Sequence, residues 1–323
     1  MSNDKPAILF VGHGSRDNDA VTEFQQLKGH FQEKYPDRLV SYGFLEFARP
    51  IIIDGVQELK ERGAKNIIAI PGMLMAAMHA KNDIPSELNN IQVSEDVNIT
   101  YGSELGVASN MIQAARCRIE EAEAQFGNSY NPKADRRDTL LIVVGRGASD
   151  PDANANICKI TRFLEEGMGF GWAHTCYSGV TTPLVPEALE MVKKLGFKRM
   201  IVFPYFLFTG RLVKKIYENT DTFAQANPDI EVVKASYLND HPLVVQSFMD
   251  KLKETEEGSP NMNCQLCQYR VQIVGNEHKV GLPQESHHHH VQGIGTDHDH
   301  SHDHHHHSHQ HHSHSHVSES EKK

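Results

Sequence analysis

The sequence contains no long apolar run, little cysteine and no excess of positive charge, and each deficiency excludes a class of protein. A helix that crosses a bilayer needs about 20 consecutive apolar residues, and no stretch of the 323 residues approaches that length. The formal net charge of −10 argues against general nucleic-acid binding, which usually requires a basic face. We therefore expect neither a membrane nor a nucleic acid as partner.

The cysteines and the N-terminal residues bear on the cellular compartment. The five cysteines do not form the framework of a secreted disulfide-rich domain. The N-terminal stretch MSNDKPAILFVGHGS lacks a basic segment, and its apolar run is too short for a secretory signal. These features predict a cytoplasmic location.

One ten-residue phrase occurs twice and determines the predicted architecture. The segment ILFVGHGSRD at 8–17 returns as LIVVGRGASD at 141–150, a step of 133 residues. Independent origin of two similar strand–turn patterns is the alternative, but three segments at one offset favour an internal duplication. The two other segments contain prolines that keep the same step: Pro71 and Pro204, Pro50 and Pro183.

Strand and helix patterns alternate in both halves. Short apolar runs bounded by glycine or proline predict strands, and apolar residues at helical spacing predict the helices between them. This alternation favours α/β units with parallel sheets. The predicted strands lie at 8–11, 39–44, 66–70 and 98–101, and at 140–144, 173–178, 199–203 and 231–236.

Signals at helix ends predict a helix from Asp17 or Asp19 to about Lys34, stopped by Pro36, and three further helices. Pro50 suits the first turn of a helix that ends near Gly63. Ser103 can cap a helix that continues to about residue 125, and a last helix is expected from about 241 to 254.

The composition divides the chain into three parts. The polar segment at 128–138 predicts a linker between the duplicated halves. We therefore predict an α/β protein with two tandem parallel-sheet domains of flavodoxin-like type, at 1–130 and 131–257, followed by a tail at 258–323. In the tail, residues 287–316 hold 16 of the 22 histidines. Such a tract has no apolar surface to bury and is expected to be disordered without metal.

Two cysteines in the tail form a Cys-x-x-Cys element. Cys264 and Cys267 could bind zinc, bind an iron–sulfur cluster or be spare thiols, since one such pair is only half of a zinc site. The histidine tract is interpreted as a reservoir for Co²⁺, Ni²⁺ or Zn²⁺.

His13, His79 and Glu46 are the candidate chemical groups of the first half. Both histidines follow predicted strands of one sheet, so they should open on the same rim, where imidazoles can bind a transition metal or move protons. Each histidine alone could equally be a turn or packing residue. The duplication favours function, because the second half replaces all three groups together, by Arg146, by Gly179 and, after a one-residue deletion, by Arg211.

These residues resemble a known family. HGSR at 13–16, Glu46 before a proline helix start, and Met78-His79 followed by NDIP at 82–85 resemble the sirohydrochlorin cobaltochelatases of the anaerobic cobalamin pathway. The tandem halves, the Met-x-Cys-x-x-Cys element and the histidine-rich tail resemble the long form of that family. Ala77 departs from the family pattern, which has a glycine two residues before the second histidine.

The resemblance implies a fold, a reaction and a site. It implies chelatase-like domains, Co²⁺ insertion into sirohydrochlorin, and His13 and His79 as metal-binding and catalytic residues. Glu46 could balance the charge of the ion or take a proton. Because the implied substrate carries many carboxylates, basic side chains are candidates to bind it, although each could be an ordinary exposed charge: Arg16, Arg49, Lys81, Arg146 and Arg211.

The resemblance also implies a [4Fe–4S] centre at Cys264 and Cys267. Two thiolates per chain suggest that two chains share one cluster in a homodimer. Iron or nickel insertion is the nearest alternative reaction, since the same ligands accept those ions. A metal-storage protein or metallochaperone is the alternative without catalysis.

Overall fold

The computed structural model describes residues 5–258, 272 and 274–282. The predicted cluster cysteines Cys264 and Cys267 and the histidine tract lie outside these residues. Within the described part, no helix combines the length and apolarity that a membrane crossing requires.

Each half alternates strands and helices. The first half contains β1 (Ala7–Gly12), α1 (Asn18–Lys34), β2 (Val40–Phe44), α2 (Ile52–Glu61), β3 (Asn66–Pro71), a π-helical turn (His79–Asp83), α3 (Ile84–Glu95), β4 (Asn98–Tyr101) and α4 (Ser109–Glu123). The second contains α5 (Pro132–Asp135), β5 (Thr139–Gly145), α6 (Pro151–Met168), β6 (Trp172–Tyr177), α7 (Val185–Lys193), β7 (Arg199–Pro204), α8 (Arg211–Ala226), β8 (Glu231–Lys234) and α9 (Pro242–Glu256).

Both sheets are parallel and have the same strand order. The first sheet has the order β2-β1-β3-β4 and the second has the order β6-β5-β7-β8. In the first sheet, Phe10 of β1 lies between Tyr42 of β2 and Ile70 of β3. All residues of β1 and β5 are buried, as expected for central strands covered by helices on both faces. The predicted α/β class and the two tandem parallel sheets are confirmed.

Two predicted helix starts are wrong. Ser103 does not cap α4: residues 103–106 form a buried loop whose Leu105 and Gly106 amides donate to the carbonyls of Met73 and Leu74, so the helix begins only at Ser109. Pro50 does not open α2, which begins at Ile52.

The halves exchange their last helices. Helix α4 of the first half packs against β7 and β8, and α9 of the second half packs against β3. The two helices also contact each other, and Asn110 of α4 donates to Asp250 of α9 at 3.0 Å. As a result one apolar core spans both sheets and includes Phe10, Ile119 and Phe248, while each half keeps a smaller core on its other sheet face.

Candidate active site

The turn after β1 brings His13 and Glu46 together. The amides of Leu45 and Glu46 donate to the carbonyls of Gly12 and His13, at 2.8 and 3.0 Å, so the segments that follow β1 and β2 run side by side. Gly14 has a φ of +99°, and a Cβ atom there would lie 1.7 Å from the carbonyl oxygen of Glu46. Only glycine permits this approach.

Three potential metal ligands converge at this turn. Nε2 of His13 lies 3.1 Å from Nε2 of His79 and 3.2 Å from Oε1 of Glu46. One ligand atom from each of the three residues lies within 4.8 Å of the others. Glu46 is 4% exposed, whereas both imidazoles open to the cavity beside them.

The hydrogen bonds of the two imidazoles determine which nitrogen faces the cluster. Nδ1 of His13 donates to the carbonyl of Gly14 at 3.1 Å, and Nδ1 of His79 donates to Oδ2 of the fully buried Asp83 at 2.8 Å. In the neutral rings, both Nε2 atoms therefore carry lone pairs. Two such lone pairs and a carboxylate oxygen at these distances form a site that a divalent cation or a proton stabilises.

Asp83 contacts the candidate site, and the sequence did not assign it a role there. It belongs to the motif NDIP that follows His79, and its carboxylate orients that imidazole. The signal was the spacing of four residues, which places a histidine and an aspartate on one face of a helical turn.

The two histidines of the cluster line a cavity of about 630 Å³ between the two halves. This volume is in the range of small-molecule and cofactor sites. Part of its apolar lining comes from two segments separated by the duplication step of 133 residues: Met73, Leu74 and Met75, and Phe206, Leu207 and Phe208.

Three of the five predicted substrate-binding residues line this cavity. Arg16 lies over the Phe47 ring at 4.8 Å, and Arg146 and Arg211 extend from the second half. Arg146 is solvent-accessible, yet the surrounding walls desolvate it and lower the pKa of its guanidinium, an effect that the charge of Glu46 opposes. An arginine stays cationic near neutral pH despite such shifts.

The other two basic residues do not line the cavity. Arg49 is exposed and pairs with Asp54 at 3.2 Å. Lys81 is buried, and its ammonium lies 2.7 Å from Asp150 and 3.3 Å from Asp152 of the second half. Burial lowers the pKa of Lys81, but the two carboxylates outweigh it and hold the pKa above its ordinary value. The geometry does not support substrate contact by these two side chains.

Glu104 lies in the loop that supports the cavity wall, and it allows a test of how the ionisation of a buried carboxyl affects the stability of the fold. It is 6% exposed, and among the described residues its Oε2 atom has no hydrogen-bond partner. Burial raises the pKa of this carboxyl above its ordinary value of 4.5. A raised native pKa contributes stability below the unfolded value, and this contribution is lost as the pH rises through the native value.

Glu104→Gln is therefore expected to be more stable than the wild type at pH 8 and equally stable near pH 4. A difference of about 1 kcal/mol would raise Tm by roughly 2–4 °C. Thermal unfolding at several pH values measures this effect, with the exposed Glu33→Gln as control. Identical pH dependence in the wild type and Glu104→Gln would contradict a buried ionisable Glu104.

Comparison with known proteins identifies the family. The CbiX family model matches residues 7–122 and again residues 140–255. A sirohydrochlorin cobaltochelatase of Priestia megaterium is 38% identical over 270 residues, 83% of this chain and 86% of that protein. A sirohydrochlorin ferrochelatase of Bacillus subtilis (strain 168) is 29% identical over 260 residues, 79% of this chain and 94% of that protein.

A solved structure shows the same architecture. SirB from Bacillus subtilis with Fe³⁺ superposes with a TM-score of 0.67 at 28% identity, covering 80% of this chain and all of that one. The resemblance drawn from the sequence is confirmed: the chain belongs to the CbiX family and carries one repeat of that family in each half.

Proposed function

We propose that this protein is a chelatase that inserts Co²⁺ into sirohydrochlorin. The observation that carries the proposal is the convergence of His13, His79 and Glu46, with both imidazoles lining a cavity that Arg146 and Arg211 line from the other half. The relative from Priestia megaterium, which is named a cobaltochelatase, supports the reaction and the metal.

The site contains the groups that metal insertion requires. A divalent ion that enters a tetrapyrrole replaces two pyrrole N–H protons and loses its previous ligands. The Nε2 atoms of His13 and His79 can hold Co²⁺ by exchangeable bonds, and the carboxylate of Glu46 balances part of its charge. As the ion leaves, these groups become free to accept the released protons, and a positioned base of this kind contributes about 10²–10⁴-fold.

The second half of the cavity suits an anionic tetrapyrrole. The apolar wall of Phe206, Leu207 and Phe208 can contact a flat macrocycle, and Arg146 and Arg211 can pair with its peripheral carboxylates. Arginine can replace histidine here because this half holds the organic substrate, for which a fixed positive charge is favourable.

Iron is the second candidate metal, because the Bacillus subtilis relative is named a ferrochelatase and the SirB structure contains Fe³⁺. Imidazole and carboxylate ligands accept iron, cobalt and nickel, and the general affinity order favours nickel over cobalt. Selection of Co²⁺ over Ni²⁺ must therefore depend on the coordination geometry of the site or on which metal ion is supplied to it.

The test is to incubate the protein with sirohydrochlorin and Co²⁺, Fe²⁺ or Ni²⁺ and to follow the tetrapyrrole absorption spectrum. We expect insertion above the uncatalysed rate, with Co²⁺ preferred. No acceleration with any metal would refute a chelatase. Deletion of residues 287–323 should preserve turnover, whereas a metal-storage protein would lose most of its bound metal.

Arg146→Ala and Arg211→Ala are expected to weaken substrate binding. A charge-assisted hydrogen bond contributes about 1.5–3 kcal/mol, so each substitution should raise the KM for sirohydrochlorin by about 10–100-fold and leave kcat within about threefold. Steady-state kinetics measure both values, and Arg49→Ala, outside the cavity, is the control. Unchanged KM values in both cavity variants would limit the second half to a scaffold role.

The iron–sulfur centre and the cellular location stay predictions. The [4Fe–4S] centre at Cys264 and Cys267, the homodimer that would share it and the cytoplasmic location rest on the resemblance and the sequence features given above.

A further inference from the structure

Lys81 forms a buried ionic bridge between the two halves. Its ammonium pairs with Asp150 at 2.7 Å and with Asp152 at 3.3 Å, and all three side chains are at most 4% exposed. Asp150 also caps α6 by accepting the amide of Asp152 at 3.0 Å. A buried charge is strongly destabilising without its partner, so the three side chains hold one arrangement.

The bridge starts from the same short turn that carries a metal ligand. His79 is the first residue of the π-helical turn His79–Asp83 and faces the cavity, while Lys81 faces the second half. Tyr101 donates to the carbonyl of Ala80 at 3.1 Å, and Asp83 holds the imidazole of His79. π-Helical turns often occur at functional sites, where they direct a side chain that an α-helix would place elsewhere.

The duplication supplies an internal comparison. Lys214 pairs with Asp17 at 2.8 Å and with Asp19 at 3.0 Å, and these two aspartates stand 133 residues before Asp150 and Asp152. Lys214 follows Arg211 by three residues, whereas Lys81 follows His79 by two. Each half therefore extends a lysine to the helix cap of the other half. The Lys214 bridge is open to solvent, with the lysine side chain 48% exposed, and water screens such pairs.

We propose that Lys81 is a positioning residue for the metal site: through Asp150 and Asp152 it holds the turn that carries His79 in register with His13 and Glu46. The expected effect of Lys81 on Co²⁺ insertion rests on the proposed chelatase function. The Lys214 bridge has no such role, because Arg211, which replaces the histidine on its side, is not a metal ligand. The bridge also connects the turn of His79 to Asp150, the N-cap of α6, which lies four residues after Arg146.

The test measures Co²⁺ binding to the full-length protein, with Co²⁺ alone as the probe. The visible spectrum of each protein minus that of its counterpart with His13→Ala isolates Co²⁺ at this site from Co²⁺ bound elsewhere. Lys81→Met should lower both Tm and Co²⁺ affinity, because it leaves two carboxylates buried without the lysine. The triple variant Lys81→Met, Asp150→Asn, Asp152→Asn removes the unpaired charge and should recover Tm, since asparagine also caps helices.

A positioning role of Lys81 and a purely stabilising role then predict different Co²⁺ affinities for the triple variant. We expect the triple variant to regain the wild-type Tm but to bind Co²⁺ about tenfold more weakly, with the insertion kcat reduced and the KM for sirohydrochlorin unchanged. Lys214→Met should leave Co²⁺ affinity within twofold of the wild type. Recovery of Co²⁺ affinity together with Tm in the triple variant would overturn the proposal, as would an equal loss in Lys214→Met.

A milder substitution decides the question if the triple variant does not fold. Asp150→Asn keeps the helix cap and leaves Lys81 paired with Asp152, so the halves retain a balanced ion pair. It should weaken Co²⁺ binding about threefold, whereas Asp17→Asn at the equivalent position of the other bridge should not. Unchanged Co²⁺ affinity in Asp150→Asn would overturn the proposal. Because the probe is Co²⁺ alone, this result is separate from a failure of the insertion assay.

Discussion

His79→Ala and His13→Ala are each expected to lower kcat/KM for Co²⁺ insertion by about 10²–10⁴-fold, the range for loss of a positioned acid–base group. The fold should persist, because both side chains are more than a quarter exposed at the rim of the first sheet and contribute little to the apolar cores. Initial rates of the tetrapyrrole spectral change measure the loss, and Tm checks the fold.

The matched control is His30→Ala. His30 is exposed and pairs with Asp240 at 3.3 Å, away from the cavity lining. The His30→Ala variant should insert Co²⁺ at the wild-type rate. Normal rates in His13→Ala and His79→Ala would refute the assignment of this cluster as the active site, even if the protein proved to be a chelatase.

Glu46→Gln is expected to lower kcat by about 10²-fold, because the amide has nearly the shape of the carboxylate but carries no charge and cannot accept a proton. Glu46 is 4% exposed and lies beside His13, so the substitution changes the charge of the site more than its packing. Steady-state kinetics with saturating Co²⁺ and sirohydrochlorin separate this loss from weaker binding.

Stability distinguishes this effect from unfolding. Removal of a buried carboxylate relieves its desolvation, so Glu46→Gln should unfold at or above the Tm of the wild type. Glu33→Gln, on the exposed face of α1, should leave both kcat and Tm unchanged. A kcat for Glu46→Gln equal to that of the wild type would limit the chemistry to the two histidines.

The sheets were predictable because central parallel strands are continuous apolar runs that end at glycine or proline. The duplicated phrase placed β1 and β5, and the common offset matched further segments of the first half with those of the second. The start of α4 was not predictable in this way. Serine is a common N-cap residue, so Ser103 indicated a helix start that the structure does not have. Its segment instead forms a loop that hydrogen-bonds to Met73 and Leu74, residues 30 or more positions earlier.

The chemical identity of the site was also present in the sequence. His13 and His79 follow strands β1 and β3, which are neighbours in the sheet, and the second half replaces both by arginine. Parallel strands end at one edge, so the histidines had to lie near each other. Their Nε2 separation of 3.1 Å and the orienting contact of Asp83 depend on side-chain directions that a linear pattern does not contain.

By itself, then, the sequence determined the duplicated α/β architecture and the pairing of a histidine half with an arginine half. Tertiary structure alone decided that the halves exchange helices and share one cavity. It also decided the role of Lys81, because side chains two positions apart in a helical turn point to roughly opposite sides. His79 therefore faces the cavity while Lys81 is directed to Asp150 and Asp152, whose positions depend on how the second half packs against the first.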